Sequence, residues 1–157
     1  MDLTERLDAM EAAIKKPSFR QSSGKANEVN YWIFDYPPEK ELEVRERIAY
    51  MKHKNQKGTD GYELVVFDLY DIIIDFLDRK HFLEKCFAFE KKRGIQRIVK
   101  AVGNSMKVSD NDSIIVQYIQ DHTPENALVF LTGIGKSYPL LRFHNVLNHL
   151  HQSYLCA

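Results

Sequence analysis

The chain has 157 residues, 44% of them hydrophobic, which is enough for one ordinary domain with a sizeable core. Its 22 basic and 22 acidic residues balance to a net charge of zero, so no overall field attracts it to nucleic acid or to an anionic membrane. Direct nucleic-acid binding would need a local basic patch and is not expected from composition.

The cysteines and the amino terminus indicate the cellular compartment. Cys86 and Cys156 are far apart and have no further cysteines beside them, and residues 1–6 lack the apolar core of a secretion signal. No uncharged apolar run approaches the roughly 20 residues that a membrane helix needs. We therefore expect a reduced, cytoplasmic protein with no membrane segment.

The chain begins with a predicted helix and a polar connection. Apolar residues recur at helical spacing over residues 1–17, with Thr4 as the expected cap and Pro17 at the end; they are Leu7, Met10 and Ile14. Residues 18–30 carry no periodic apolar signal and form the connection. The remainder, residues 31–157, is predicted to be the α/β core of one domain that spans residues 1–157.

Three short, nearly continuous apolar runs predict strands at residues 31–34, 62–67 and 127–131. Such runs are typical of strands that are buried on both faces, as in a parallel sheet covered by helices. The first two strands are separated by a charged helix with Val44, Ile48 and Met51 on one face, which predicts a right-handed crossover. The fold class is α/β, with three layers and a small parallel sheet of about three strands flanked by helices.

A helix-rich segment is predicted between the second and third strands. Residues 71–105 have a helical pattern with a break near Gly94, and Asp71 is placed to cap the first of these helices. A further helix, capped by Asp110 or Asp112, ends at Pro124. That helix carries the apolar residues Ile115 and Ile119. The last helix is predicted to have Pro139 in its first turn, and its broad apolar face consists of Leu140, Phe143, Val146, Leu147 and Leu150.

Polar side chains follow each predicted strand, where open α/β sheets bind their ligands. Asp35 follows the first strand, Asp68 the second and Thr132 the third, so we expect them at one edge of the sheet. Aspartates in such a position can hold Mg²⁺ for phosphoryl chemistry, and they can equally be helix caps and turn formers. An enzyme or switch that depends on a nucleotide or on Mg²⁺ is therefore one alternative.

The turn after the third strand contains Gly133, Gly135 and Lys136 and leads into a helix. It is too short for a Walker A loop, because the position of that motif's first glycine is Phe130, and Tyr138 stands where a dinucleotide-binding turn needs its third glycine. Two interpretations stay open: a weak anion site at a helix amino terminus, or a tight turn with a solvated lysine.

Other side chains give weaker signals. His53, His81 and His122 are isolated, and His144 and His151 are on the order of 10 Å apart along a helix, so no metal site and no cofactor is predicted. One basic run favours a solvated helix face, with DNA or an acidic partner as the alternative; it comprises Lys91, Lys92, Arg93, Arg97 and Lys100. No catalytic residue is assigned.

Two separated motifs, at residues 34–45 and 130–148, resemble the BrxB family, which is encoded in bacterial BREX phage-exclusion loci. The resemblance runs from about residue 27 to about residue 150, and family members are expected to continue through another strand, so this chain looks short at its carboxyl end. It implies a non-catalytic component of a BREX system that binds other components, above all a PglZ-like protein. An incomplete sheet also favours self-association into a homo-oligomer. The expected contact residues lie in the two turns and comprise Tyr36, Pro37, Pro38, Tyr138, Pro139 and Arg142.

Overall fold

The structure is a computed structural model that describes residues 1–20, 31–108 and 113–155, with side chains to residue 150. These residues divide into two compact units. The first comprises Met1–Val65 with Pro124–Leu128, and the second comprises Val66–Thr123 with Val129–Ala157. No helix in the described ranges is long and apolar enough to cross a membrane.

The first unit is built on two long helices, α1 (Leu3–Lys15) and α3 (Glu41–Lys54), with two short ones, α2 (Pro17–Arg20) and α4 (Lys57–Asp60). Asp2, and not the expected Thr4, caps α1, because its carboxylate accepts from the Glu5 amide while Glu5 bonds back to the Asp2 amide. The predicted apolar stripes are confirmed at the contact between α1 and α3; their buried members are Leu7, Ile14, Val44 and Met51.

The strand predicted at residues 31–34 is wrong, and so is the crossover that depended on it. The Ile33 side chain is 84% exposed, and no sheet ladder includes this segment. Side-chain contacts hold it instead, since Trp32 stacks on Phe19 with ring centroids 4.8 Å apart. The Arg6 guanidinium bonds to the Asp35 carbonyl at 2.8 Å and lies over the Phe34 ring.

Among the described residues the sheet has two parallel strands, β1 (Glu63–Asp68) and β2 (Ala127–Thr132), and not the predicted three. Every residue of β2 is half-buried where full burial was expected, because in this part of the chain no third strand flanks the pair. The Asn55 side chain covers part of the β1 edge, because its Oδ1 accepts from the Leu64 amide at 2.7 Å. The α/β class is nevertheless confirmed.

The described part of the second unit has six helices, and their bounds are α5 (Leu69–Arg79), α6 (Leu83–Arg93), α7 (Ile95–Ser105), α8 (Ile114–Asp121), α9 (Ile134–Ser137) and α10 (Phe143–Leu155). Four of them lie between β1 and β2, so the predicted helix-rich segment is confirmed, as is its break at Gly94. The proposed caps Asp110 and Asp112 lie outside the described residues. The helix that they were expected to cap, α8, buries Ile115 and Ile119, as predicted.

The last helix begins at Phe143, four residues later than the position predicted from Pro139. A short helix, α9, comes first and ends at Ser137, and residues 138–142 form a turn. The Leu141 amide donates to the Ser137 carbonyl, which closes that turn before α10 starts. The apolar face of α10 is nevertheless confirmed, since Val146 and Leu150 are buried.

Candidate functional site at the strand ends

Asp68 ends β1 and caps α5, which places its carboxylate where the strand meets the helix. Its Oδ1 accepts from the amides of Tyr70 at 3.0 Å and Asp71 at 3.2 Å. Asp71 is not the cap that was predicted, because α5 begins at Leu69 and Asp68 is the residue directly in front of it. Two amides that lack partners within the helix are therefore satisfied by one carboxylate oxygen.

Lys136 reaches this carboxylate from the turn after β2. Its Nζ lies 2.7 Å from Asp68 Oδ2 and 3.4 Å from Asp71 Oδ1. The Lys136 and Asp68 side chains are only 31% and 23% exposed. Partial burial opposes the charged ammonium, but hydrogen bonds and charges from the two aspartates outweigh it and raise the pKa of Lys136. Lys136 is therefore a bound cation, and not a solvated one.

Gly133 gives the Asp68 carboxylate its space. Its φ is +72°, a conformation that other residues rarely adopt, and a Cβ atom built on it would overlap Asp68 Oδ1 and lie 2.8 Å from Asp68 Cγ. By contrast, Gly135 has nothing within 4 Å of such a Cβ. Of these two glycines, only Gly133 is therefore needed to leave room for the Asp68 carboxylate.

Two hydroxyl groups make hydrogen bonds at this site, one within the turn and one between the strands. Ser137 Oγ donates to the Gly133 carbonyl at 2.7 Å, and the residue is almost wholly buried. Thr132 Oγ1 donates to the Phe67 carbonyl at 3.4 Å. Thr132 was among the residues predicted from the sequence and Ser137 was not, although its spacing of four residues from Gly133 is the signal for this bond.

We call Asp68, Asp71, Thr132, Gly133 and Lys136 the strand-end site. Its formal charge is −1, because one ammonium faces two carboxylates, and this does not favour an anion such as a nucleotide phosphate. Lys136 also sits against both carboxylates that a Mg²⁺ ion would use. Within the described ranges, no group of three or more histidine, cysteine or acidic residues can hold a metal.

The other predicted site residue at a strand end, Asp35, belongs to the first unit. The strand that was expected to carry it does not form, and its carboxylate pairs with Arg6 at 2.7 Å. Next to it, the Tyr36 hydroxyl donates to Glu41 Oε2 at 2.6 Å. Burial, followed by this bond to a carboxylate, raises the pKa of Tyr36 to about 12. Pro37 and Pro38 are exposed.

The expected contact residues of the second unit lie on its surface. Tyr138 is 70% exposed, and Pro139 and Arg142 are also exposed. Ile134, at the start of α9, adds a further exposed apolar side chain. We call residues 134–142 the contact turn. It combines an aromatic ring and a guanidinium, which are enriched at protein interfaces, with one exposed aliphatic side chain.

Comparison with known proteins connects this architecture to one family. The family model "BREX protein BrxB" matches residues 65–155. A BREX protein BrxB of Bacillus cereus (strain H3081.97) is 38% identical over 151 residues, which cover 96% of this chain and 78% of that protein. A BREX protein BrxB of Escherichia coli O9:H4 (strain HS) is 30% identical over 150 residues, which cover 94% and 72%.

No solved structure matches the chain at a significant level. The sequence comparisons confirm the resemblance seen in the two motifs, and the chain is shorter than both relatives, as that resemblance led us to expect. The family model covers more than half of the chain, including the strand-end site and the contact turn. The chain therefore belongs to the BrxB family of BREX proteins.

Proposed function

We propose that this chain is a non-catalytic, cytoplasmic member of a BREX anti-phage defence system and acts by binding other components, in the first place a PglZ-like protein. Membership in the BrxB family makes it a BREX component. The proposal adds the mode of action, which is protein–protein contact through the contact turn. A second contact is assigned to the exposed Pro37 and Pro38 in the first unit.

The observation that carries the proposal is the exposure of Tyr138 beside a strand-end site whose charges are already paired. Covering an exposed aromatic ring with a partner lowers the free energy of the complex, and tyrosine is among the residues that dominate interface energies. Lys136, two residues earlier, is held by Asp68 and Asp71. The turn thus exposes the Tyr138 ring two residues after a lysine that ion pairs hold in place.

The strand-end site supports a non-catalytic role. A general base or a nucleophile needs a free polar atom that can reach a substrate. Asp68 accepts from two amides and an ammonium, and the Thr132 hydroxyl donates to a strand carbonyl. Asp68 and Thr132 therefore each have a structural partner, and the Asp68 carboxylate also holds Lys136 of the turn.

The test is co-expression of the chain with the PglZ-like protein of its locus, followed by size-exclusion chromatography with light scattering. The proposal predicts co-elution at a defined stoichiometry, and the chain run alone reports whether it forms homo-oligomers. Separate elution of two folded proteins would overturn the assigned partner.

Paired variants test the assigned surface. Tyr138→Ser is expected to weaken the complex by about tenfold or more, as for an aromatic residue central to an interface. Tyr50→Ser is the matched control, because Tyr50 is also exposed but lies on α3 in the first unit. Equal affinities for the two variants would show that the contact turn is not the binding surface.

A further inference from the structure

Residues 31–36 of the first unit form a strand-like segment that belongs to no sheet among the described residues, and we call it the edge segment. No helix, turn or bend interrupts it. Phe34 and Tyr36 are half-buried, whereas Ile33 is 84% exposed and the Asp35 side chain 88% exposed. This alternation has the period of a β-strand, which is the structure that the apolar sequence favours.

Alternate side chains hold the edge segment on the first unit. Trp32 stacks on Phe19, and the Tyr36 hydroxyl donates to a carboxylate at the start of α3. Between them, the Arg6 guanidinium lies over the Phe34 ring, 4.9 Å from its centroid. The segment is therefore fixed by its side chains, and its position does not depend on a sheet.

The backbone of the edge segment is open along one side. In the described part of the chain, the amides and carbonyls of Trp32, Phe34 and Tyr36 make no hydrogen bond. The Asp35 carbonyl, by contrast, accepts from Arg6 at 2.8 Å. Successive residues of a strand turn their backbone groups to opposite edges, so Arg6 occupies one edge and the edge of residues 32, 34 and 36 is open.

This open edge lacks the features that keep exposed strands from pairing. Natural edges are commonly blunted by lysine, by other charged side chains or by proline. The edge segment contains no lysine and no proline, and its one charged residue, Asp35, is paired with Arg6. A row of unpaired amides and carbonyls with β-forming side chains is a template for another strand, so the backbone specifies a β-strand as the occupant.

We propose that two copies of this chain pair through the open edge as antiparallel strands. Pairing about a two-fold axis at Phe34 uses all three open residues, because it places Trp32 opposite Tyr36. On the other face of the two strands it places Ile33 opposite Asp35. Aromatic cross-strand pairs of this kind stabilise antiparallel strands. The inference goes beyond the proposed function, since it concerns the first unit and is tested with the chain alone.

Charge and symmetry favour a second copy as the occupant. The net charge of the chain is zero, so two copies do not repel each other. In this register each Asp35 faces an isoleucine and not the other aspartate. Two-fold pairing is closed, and it therefore ends at a dimer. A single pair of short strands is smaller than the roughly 1,200 Å² of a standard interface, so we expect a weak dimer.

Sedimentation equilibrium of the full chain between about 5 and 500 µM covers the range expected for such an interface. We expect a monomer–dimer equilibrium within this range. Amide hydrogen exchange measured by NMR then locates the contact, because the Phe34 amide should exchange more slowly in the dimer and the Ile33 amide, on the other edge, should not. A monomer at every concentration, or a dimer in which the Phe34 amide is not slowed, would overturn the proposal.

Two substitutions at one exposed position test the register. Ile33→Asp and Ile33→Lys both remove the same apolar side chain and change the charge by one unit, but they face Asp35 of the other copy with a like and an opposite charge. We expect the dimer of Ile33→Asp to be about fivefold or more weaker than that of Ile33→Lys. Circular dichroism shows whether each variant is folded. Equal dissociation constants for the two folded variants would overturn the antiparallel pairing.

Discussion

The Asp68 carboxylate occupies the space that a side chain at Gly133 would fill. A Cβ atom on this glycine would overlap Asp68 Oδ1, and the same carboxylate caps α5 and pairs with Lys136. One aspartate therefore fixes the end of β1, the start of α5 and the turn after β2. These contacts hold Lys136, which lies two residues before the exposed Tyr138 ring.

Gly133→Ala is predicted to destabilise the protein by about 1–3 kcal/mol, because alanine is strained at a φ of +72° and its methyl group displaces the Asp68 carboxylate. Gly135→Ala is the matched control and should change the free energy of unfolding by less than about 1 kcal/mol. Urea unfolding measures both. Equal effects of the two substitutions would contradict the close approach at Gly133.

Substitutions of Asp68 separate its cap from its ion pair. Asparagine caps helices about as well as aspartate, so Asp68→Asn mainly removes the charge that faces Lys136. Asp68→Ala removes the cap as well and should cost about 1 kcal/mol more. Asp71→Ala, at a well-exposed position, is expected to cost less than about 1 kcal/mol. Thermal and urea unfolding give the three values, and an alanine variant as stable as the asparagine one would refute the capping role.

Tyr36 is predicted to make the protein less stable at high pH. Its pKa is about 12 when folded and about 10 when unfolded, so above pH of about 10 the unfolded chain loses a proton that the folded chain keeps. This favours unfolding as the pH rises through that window. Tyr36→Phe should therefore show a shallower loss of stability between about pH 10 and 12, and parallel curves for the two proteins would disprove the shift.

Nucleotide is predicted not to bind the strand-end site. A ligand that binds only the folded state raises the melting temperature once its concentration exceeds its Kd. With Lys136 held by two carboxylates, we expect ATP with Mg²⁺ at about 1 mM to leave the melting temperature unchanged. A saturable increase that Lys136→Ala abolishes would instead support the nucleotide-dependent alternative.

The sequence predicted those parts of the fold that depend on local patterns. The apolar stripe of α3, the break at Gly94 and the strand β2 follow from periodicity and turn chemistry, and the structure confirms them. Residues 31–34 have equally strong strand-forming character, yet they form no strand. The conformation of this segment depends on side chains that are distant in sequence, in particular Arg6 and Phe19, and a local pattern does not reveal such contacts.

The strand-end site was partly predictable for a similar reason. Parallel strands bring their carboxyl ends to one edge, which grouped Asp68 with Thr132 and Lys136 but wrongly included Asp35, whose strand does not form. The pairing of Lys136 with Asp68 and the fit of Gly133 against that carboxylate depend on the register of β1 and β2. Register is set by packing across the sheet, so from the sequence alone Lys136 could be interpreted either as solvated or as part of an anion site.

The most direct test of the central claim is a titration of the purified chain with the PglZ-like protein of its locus in a calorimeter, with wild type, Tyr138→Ser and Tyr50→Ser compared. We expect saturable binding for wild type and Tyr50→Ser, and an affinity about tenfold or more lower for Tyr138→Ser. Absence of binding by the folded wild-type chain, or equal affinities for all three proteins, would contradict a function in protein contact through the turn at Tyr138.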